Sequence, residues 1–203
     1  MTRGPLTAFH RANAVTYLSL MSSLAAVAAA SRGFASTAGA LIALAVIADT
    51  FDGRYAKQFV RTADERSVGV QLDSLSDAIA FGAAPAICMT LLAPPSSAGL
   101  ALGWWIAVAI FAACAIARLA FYNVTHDDVD GFVGLPVPVA ALIWSTVLLA
   151  TPGPATSIAV LLTTAAAMVV PLPVPRPRGA ALALFALWPA AIVLAHAIAG
   201  WRG

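Results

Sequence analysis

Four aspartates stand out by type and spacing in a chain that carries few charges. Asp49 and Asp52 lie three residues apart and Asp73 and Asp77 four apart, so on helices each pair falls on one face. Carboxylate oxygens are hard ligands, and two facing pairs suit two hard divalent cations such as Mg²⁺ or Mn²⁺. Two such ions a few ångströms apart clamp the attacking and leaving oxygens of a displacement at phosphorus. Gly53, directly after Asp52, and Gly69, one turn before Asp73, leave the backbone open to close approach by a phosphate or a sugar.

A plainer reading pairs these carboxylates with Arg54, Lys57, Arg61 and Arg66 at the ends of helices. It suits a single aspartate at a span end, where ionisable residues are often merely interfacial. Two facing pairs with flanking glycines suit metal better. A carboxylate-gated ion or proton transporter is the alternative from another class, because intramembrane carboxylates also mark ion pathways.

The elements that must position these residues are apolar. The 203 residues are 61% hydrophobic and 10% charged, with a mean hydropathy of +0.90, whereas soluble domains carry about 25% charged residues. This is the composition of an integral membrane protein. We expect an all-α, polytopic membrane helix bundle of six to seven transmembrane helices, forming one domain over residues 1–203. Residues 1–12 read as an interfacial segment. A carboxylate at the centre of a lone span costs about 2.5–3.5 kcal/mol on insertion scales, so four of them require a polar cavity or cationic partners.

Spans are expected at residues 13–30, 34–57, 69–93 and 100–122, with a fifth reaching residue 150 and two more at 155–172 and 180–199. Gly82 and Pro85 predict a kink in the third. Trp104 and Trp105 read as an interfacial belt, and residues 58–68 as a polar loop or a helix extension. With seven crossings, Arg3, Arg11, Arg54, Lys57, Arg61, Arg66, Arg118, Arg176 and Arg178 fall on one side and only Arg32 and Arg202 on the other. That bias places the N-terminus and the aspartates at the cytoplasmic face of the cell membrane.

Cys88 and Cys114 read as packing residues with no disulfide. His10 and His196 read as interfacial or packed, and His126 with Asp127 and Asp128 as a solvated loop. No zinc spacing, Gly-rich nucleotide loop or basic nucleic-acid stripe is present, so no nucleic-acid partner is expected.

Asp49-x-x-Asp52-Gly53-x-x-Ala56-Lys57, followed by Gly69-x-x-x-Asp73-x-x-x-Asp77, resembles the signature of the CDP-alcohol phosphotransferases. These membrane enzymes move a phosphatidyl or similar group from a CDP-linked donor to an alcohol and release CMP. Asp73-Ser74-Leu75-Ser76-Asp77, the Ala80–Ala86 segment, Ala117–Val124 and Gly134-Leu135-Pro136-Val137-Pro138 are similar to segments of the phosphatidylserine synthase branch.

The resemblance implies that Asp49, Asp52, Asp73 and Asp77 bind two divalent cations and that Asp77 is the general base. It also implies that Gly53, Ala56, Lys57 and Gly69 line the CMP portion and that the enzyme is a homodimer. CDP-diacylglycerol and L-serine are the expected substrates, with glycerol phosphate or inositol phosphate as alternative acceptors. Arg118, a base near the cytoplasmic end of a later span, is the expected partner of the serine carboxylate, since one Arg suits a carboxylate better than a phosphate dianion. Three features depart from the pattern. Lys57 stands where the family has Arg and lacks its bidentate fork, the spacer from Lys57 to Gly69 is longer, and Phe121 replaces a second Arg of the branch.

Overall fold

Ala- and Leu-rich runs favour helix intrinsically, and in hydrocarbon an internally hydrogen-bonded backbone is required. A computed structural model of the chain describes residues 4–125, 131–174 and 180–202, the last stretch with side chains from 187 to 201. Arg3, Arg176 and Arg178, and the expected loop at His126, lie outside the described residues.

After two 3₁₀ turns, Pro5–Phe9 and Arg11–Asn13, come α1 (Ala14–Ala30), α2 (Ala35–Ala56), α3 (Ala63–Asp77) and α4 (Ala84–Leu92). Then follow α5 (Ala98–Thr125), α6 (Val137–Leu148), α7 (Pro154–Val169) and α8 (Ala180–Arg202). Among the described residues, four stretches are long and apolar enough to cross a membrane, namely Arg11–Ala30, Ala35–Ala56, Ala63–Leu92 and Ala98–Thr125. Two later apolar segments form shorter helices, Val137–Leu148 and Pro154–Val169, whereas α8 runs for 23 residues. The fifth is short because Pro136 caps α6 and Thr151, at φ 43°, turns the chain beyond it.

Two expectations are refined. The polar stretch 58–68 is only partly a loop, because Thr62 and Glu65 form a capping box that starts α3 at Ala63. Thr62 N donates to Glu65 Oε2 at 2.8 Å, and Glu65 N donates to Thr62 Oγ1 at 3.2 Å, which satisfies the first-turn donors of the helix. The predicted kink is a π-helical turn, Ala78–Ala83, that joins α3 to α4. Pro85, which lacks an N–H, follows directly on the π turn in the first turn of α4, where a missing intrahelical donor favours a break in the regular ladder. Gly82 permits the π turn to press on α5, since a Cβ there would lie 3.2 Å from the Ala115 Cβ.

Helix α2 is the centre of the bundle and packs on α1, α6 and α8, while α5 packs on α7 and the π turn. Ile42, Ala43 and Val46 of α2 join Phe81, Trp104, Phe111 and Trp144 in the buried core. Trp104 is therefore not part of an interfacial belt. It is fully buried and donates from Nε1 to Thr90 Oγ1 at 2.8 Å, tying α5 to α4, whereas Trp105 faces outward. An indole that can reach a hydroxyl loses little on burial. Cys88 is buried, Cys114 half-buried, and both are free.

A two-stranded antiparallel ribbon, β1 (Phe132–Val133) with β2 (Pro173–Val174), joins the segments before α6 and after α7. Gly134, at φ 72°, makes the turn out of β1 in the left-handed region, where only glycine is unstrained.

Helices α2, α6 and α8 meet around one buried polar group. His196 is 1% exposed; its Nε2 donates to Ser145 O at 2.9 Å, and Ser145 Oγ donates to Gly39 O at 2.7 Å. A Cβ at Gly39 would run into the His196 imidazole. Overpacking of this kind costs about 1–3 kcal/mol, so Gly39→Ala is expected to lower the thermal midpoint in detergent. Adding His196→Ala should recover part of the loss. An unchanged midpoint in Gly39→Ala would contradict this packing.

Candidate active site

The Asp49–Asp77 motif of the sequence becomes one cluster because the C-terminal turns of α2 and α3 converge on one point. Asp49 and Asp52 lie in the last two turns of α2, and Asp73 and Asp77 in the last two turns of α3. One carboxylate oxygen from each of Asp49, Asp52 and Asp73 lies within 4.8 Å of the other two. Asp77 completes the group, with its carboxyl within hydrogen-bonding reach of Asp49. The close neighbours of these carboxyls are one another, which disfavours the reading that pairs them with Arg54, Lys57, Arg61 and Arg66.

Like charges held this close in an apolar bundle repel strongly, and a cation between them removes the repulsion. Asp73 Oδ1 is buried with no hydrogen-bond partner, a cost that a bound ion would offset. Oxygen ligands, spacing and the orphaned oxygen therefore fit a divalent cation. One neighbour orients the set: Thr16 of α1, itself buried, donates from Oγ1 to Asp52 Oδ2 at 2.9 Å.

The four aspartates line a cavity of about 590 Å³ that also reaches Ser74, Arg118, Tyr122, Asn123, Phe132 and Trp188. Arg118 is 6% exposed. Its guanidinium carbon sits 5.0 Å from the centroid of the Tyr122 ring and 5.5 Å from that of Phe132, a cation–π arrangement that holds the head group in place. Its Nε and Nη2 are buried without hydrogen-bond partners. A guanidinium with free donors on the wall of a cavity is built to receive an anion. Across the cavity wall Asn123 Nδ2 donates to Ser74 Oγ at 2.7 Å, bridging α5 and α3.

Of the residues singled out from the sequence, Asp49, Asp52, Asp73, Asp77 and Arg118 come together around this cavity. Gly53, Ala56, Lys57 and Gly69 do not line it. Gly53 and Ala56 continue α2 beyond Asp52, Lys57 caps the helix and is exposed, and Gly69 lies a turn before Asp73. A Cβ on Gly69 would lie 3.0 Å from Arg61 Nη1 and 3.1 Å from Asn13 Oδ1. Arg61, within the spacer, thus lies against the glycine. Sequence reasoning missed Thr16 and Trp188, which sit far from the motif and show their place only through packing, and did not single out Asn123 within the Ala117–Val124 segment. Ser74 lay inside the quoted Asp73-Ser74-Leu75-Ser76-Asp77 segment.

The family model for CDP-alcohol phosphatidyltransferase matches residues 9–174. The chain belongs to that family, and with its apolar helices it is a multi-pass membrane protein. Among curated relatives, a CDP-diacylglycerol–serine O-phosphatidyltransferase of Mycobacterium tuberculosis is 35% identical over 140 residues, covering 64% of this chain and 46% of the relative. One of the same name from Methanocaldococcus jannaschii is 40% identical over 103 residues, covering 51% and 46%. An archaetidylserine synthase of Methanothermobacter thermautotrophicus is 36% identical over 127 residues, covering 62% and 49%. The matched part spans about half the length of these relatives.

Partners of metal ligands typically matter about 10–100-fold in affinity. Thr16→Ala, which removes the donor to Asp52, is accordingly expected to weaken Mn²⁺ binding about tenfold with little change in thermal midpoint. Titration of the purified protein with Mn²⁺ checks this, and an unchanged affinity would remove Thr16 from the site.

Proposed function

We propose that this chain transfers a phosphatidyl group from CDP-diacylglycerol to L-serine, forming phosphatidylserine and CMP, at the cytoplasmic face of the cell membrane. The observation that carries the reading is a single cavity bordered by four clustered carboxylates and by a buried, unsaturated guanidinium. The names of the relatives favour serine among the possible acceptors. The strong bias of Lys and Arg to one side favours the cytoplasmic orientation.

Asp49, Asp52, Asp73 and Asp77 would hold two divalent cations, Mg²⁺ or Mn²⁺. Bound there, such ions neutralise the diphosphate and stabilise the charge that grows on the leaving CMP oxygen. Asp77 accepts the proton of the serine hydroxyl as its oxygen bonds to the phosphatidyl phosphorus and the bond to the CMP oxygen breaks. Arg118 orients the acceptor by its carboxylate. Gly53, Ala56, Lys57 and Gly69 lie outside the cavity, and their assignment to the CMP side rests on the resemblance alone. The diacylglycerol tails lie in lipid between helices, which gives a reason for building the site in a bilayer. We take the assembly to be a homodimer, as the resemblance implies.

The test is purified protein with CDP-diacylglycerol, Mn²⁺ and a panel of acceptors, read as CMP release. Serine is expected to support release, and release with glycerol 3-phosphate or inositol phosphate but not serine would overturn the acceptor. Flux through proteoliposomes without nucleotide would instead favour a transporter.

Two substitutions dissect the site. Asp73→Asn removes a charged ligand with little change of shape, so metal binding and turnover should fall together, whereas Asp77→Asn should abolish turnover with a smaller loss of CDP-lipid binding. Near-normal turnover in both would contradict the two-metal assignment. Arg118→Ala should raise the serine KM at least tenfold while the donor KM changes little, given that hydrogen bonds to charged groups contribute about 1.5–3 kcal/mol. An effect on the donor alone would place Arg118 elsewhere in the reaction.

A further inference from the structure

Ser74 and Asn123 take no part in the reading so far, yet both line the cavity. Ser74 stands between Asp73 and Asp77 on α3, and Asn123 is near the end of α5. Asn123 Nδ2 donates to Ser74 Oγ at 2.7 Å, and Ser74 Oγ donates back to Asn123 Oδ1 at 3.1 Å, which leaves one lone pair on each oxygen. Each side chain therefore fixes the other across two helices. The shorter bond uses one amide hydrogen and one hydroxyl lone pair. Acceptor capacity remains on Ser74 Oγ and on Asn123 Oδ1.

We propose that Ser74 and Asn123 together receive the ammonium group of an amino-acid acceptor, beside the carboxylate partner Arg118. The proposal rests on the serine reading above and names the groups that would select an α-amino acid among alcohols.

An ammonium brings three N–H donors and no acceptor, so it needs oxygens that accept. The four aspartates already form the metal cluster. A further carboxylate near them would compete for divalent ions and repel the acceptor's own carboxylate, whereas a hydroxyl and an amide oxygen do neither. Position supports the same assignment. The Arg118 guanidinium stacks over Tyr122, about one turn along α5 from its own backbone, which brings the charge level with the residue adjacent to Asn123. An α-amino acid carries carboxylate and ammonium on one carbon, so their two recognition groups must be close neighbours. The reacting hydroxyl is one carbon further on, and Asp77, three residues after Ser74, is the base proposed for it.

The experiment uses the full chain in vesicles with CDP-diacylglycerol and Mn²⁺, comparing the wild type with Asn123→Ala and Ser74→Ala. Three acceptors are offered: L-serine, 3-hydroxypropionate, which lacks the ammonium, and ethanolamine, which lacks the carboxylate. Each substitution should raise the serine KM and reduce the preference for serine over 3-hydroxypropionate about tenfold, as loss of a hydrogen bond to a charged group implies. The preference for serine over ethanolamine and the donor KM should stay near wild type. Ser74→Ala keeps a strong helix former at the position, which guards against a folding defect as the cause.

An equal fall in kcat for all acceptors, with selectivity unchanged, would show that the pair only ties α3 to α5 and would overturn the proposal. A rise confined to the donor KM would overturn it in favour of a nucleotide contact. Wild-type turnover with serine alongside unchanged selectivity in both variants would remove this assignment alone. No CMP release with serine in the wild type would remove the serine reading and this assignment together.

Discussion

Mutual repulsion among four carboxylates is the constraint on which the rest of this structure depends. Asp49, Asp52 and Asp73 place oxygens within 4.8 Å of one another, and Asp77 lies against Asp49, in a largely apolar helix bundle. Without a cation such a group would drive α2 and α3 apart or bind protons. The bundle opposes that separation from several sides. Helix α2 is held by α1, α6 and α8, and α3 is continued through the π turn into α4, which packs back on α1. Rigidity of this kind would hold the proposed ligand set in place before an ion arrives, as preorganised electrostatic catalysis requires.

The opposite charge is kept on a separate element. Arg118 comes from α5 and is held over Tyr122 and Phe132, the latter from the β1–β2 ribbon. A flexible base in the same place could collapse onto the aspartates and neutralise them. Contact with two neighbouring rings fixes a guanidinium while leaving its donors free, so cationic and anionic walls coexist in one cavity. The position of the ribbon thus matters to the site, and Gly134, left-handed at its end, is part of what sets that position.

Much of this was legible in the sequence, for physical reasons that differ by element. The aspartates could be read because carboxylates in apolar helices are costly and their i,i+3 and i,i+4 spacing defines a face. The helices could be read because hydrocarbon permits little else. Trp104 was misplaced because an indole suits either a headgroup region or a buried hydroxyl, and only the packing of α5 on α4 brings Thr90 within reach. The start of α3 was legible in Thr62 and Glu65 as a capping box but was masked by the polarity of the surrounding stretch. Thr16 carried no local signal, and Asn123, though inside the Ala117–Val124 segment, carried none of its pairing. Their partners are 36 and 49 residues away, and contacts at that separation arise from the fold.

The central claim is that this carboxylate cluster works with divalent ions to move a phosphatidyl group onto serine. Mass spectrometry of the lipid formed by purified protein in CDP-diacylglycerol vesicles, with isotopically labelled serine, tests it most directly. The account predicts labelled phosphatidylserine in equal amount to released CMP, lost on chelation and restored by Mg²⁺ or Mn²⁺. Labelled product at an unchanged rate in the presence of excess chelator, or no labelled lipid from protein shown to bind Mn²⁺, would contradict it.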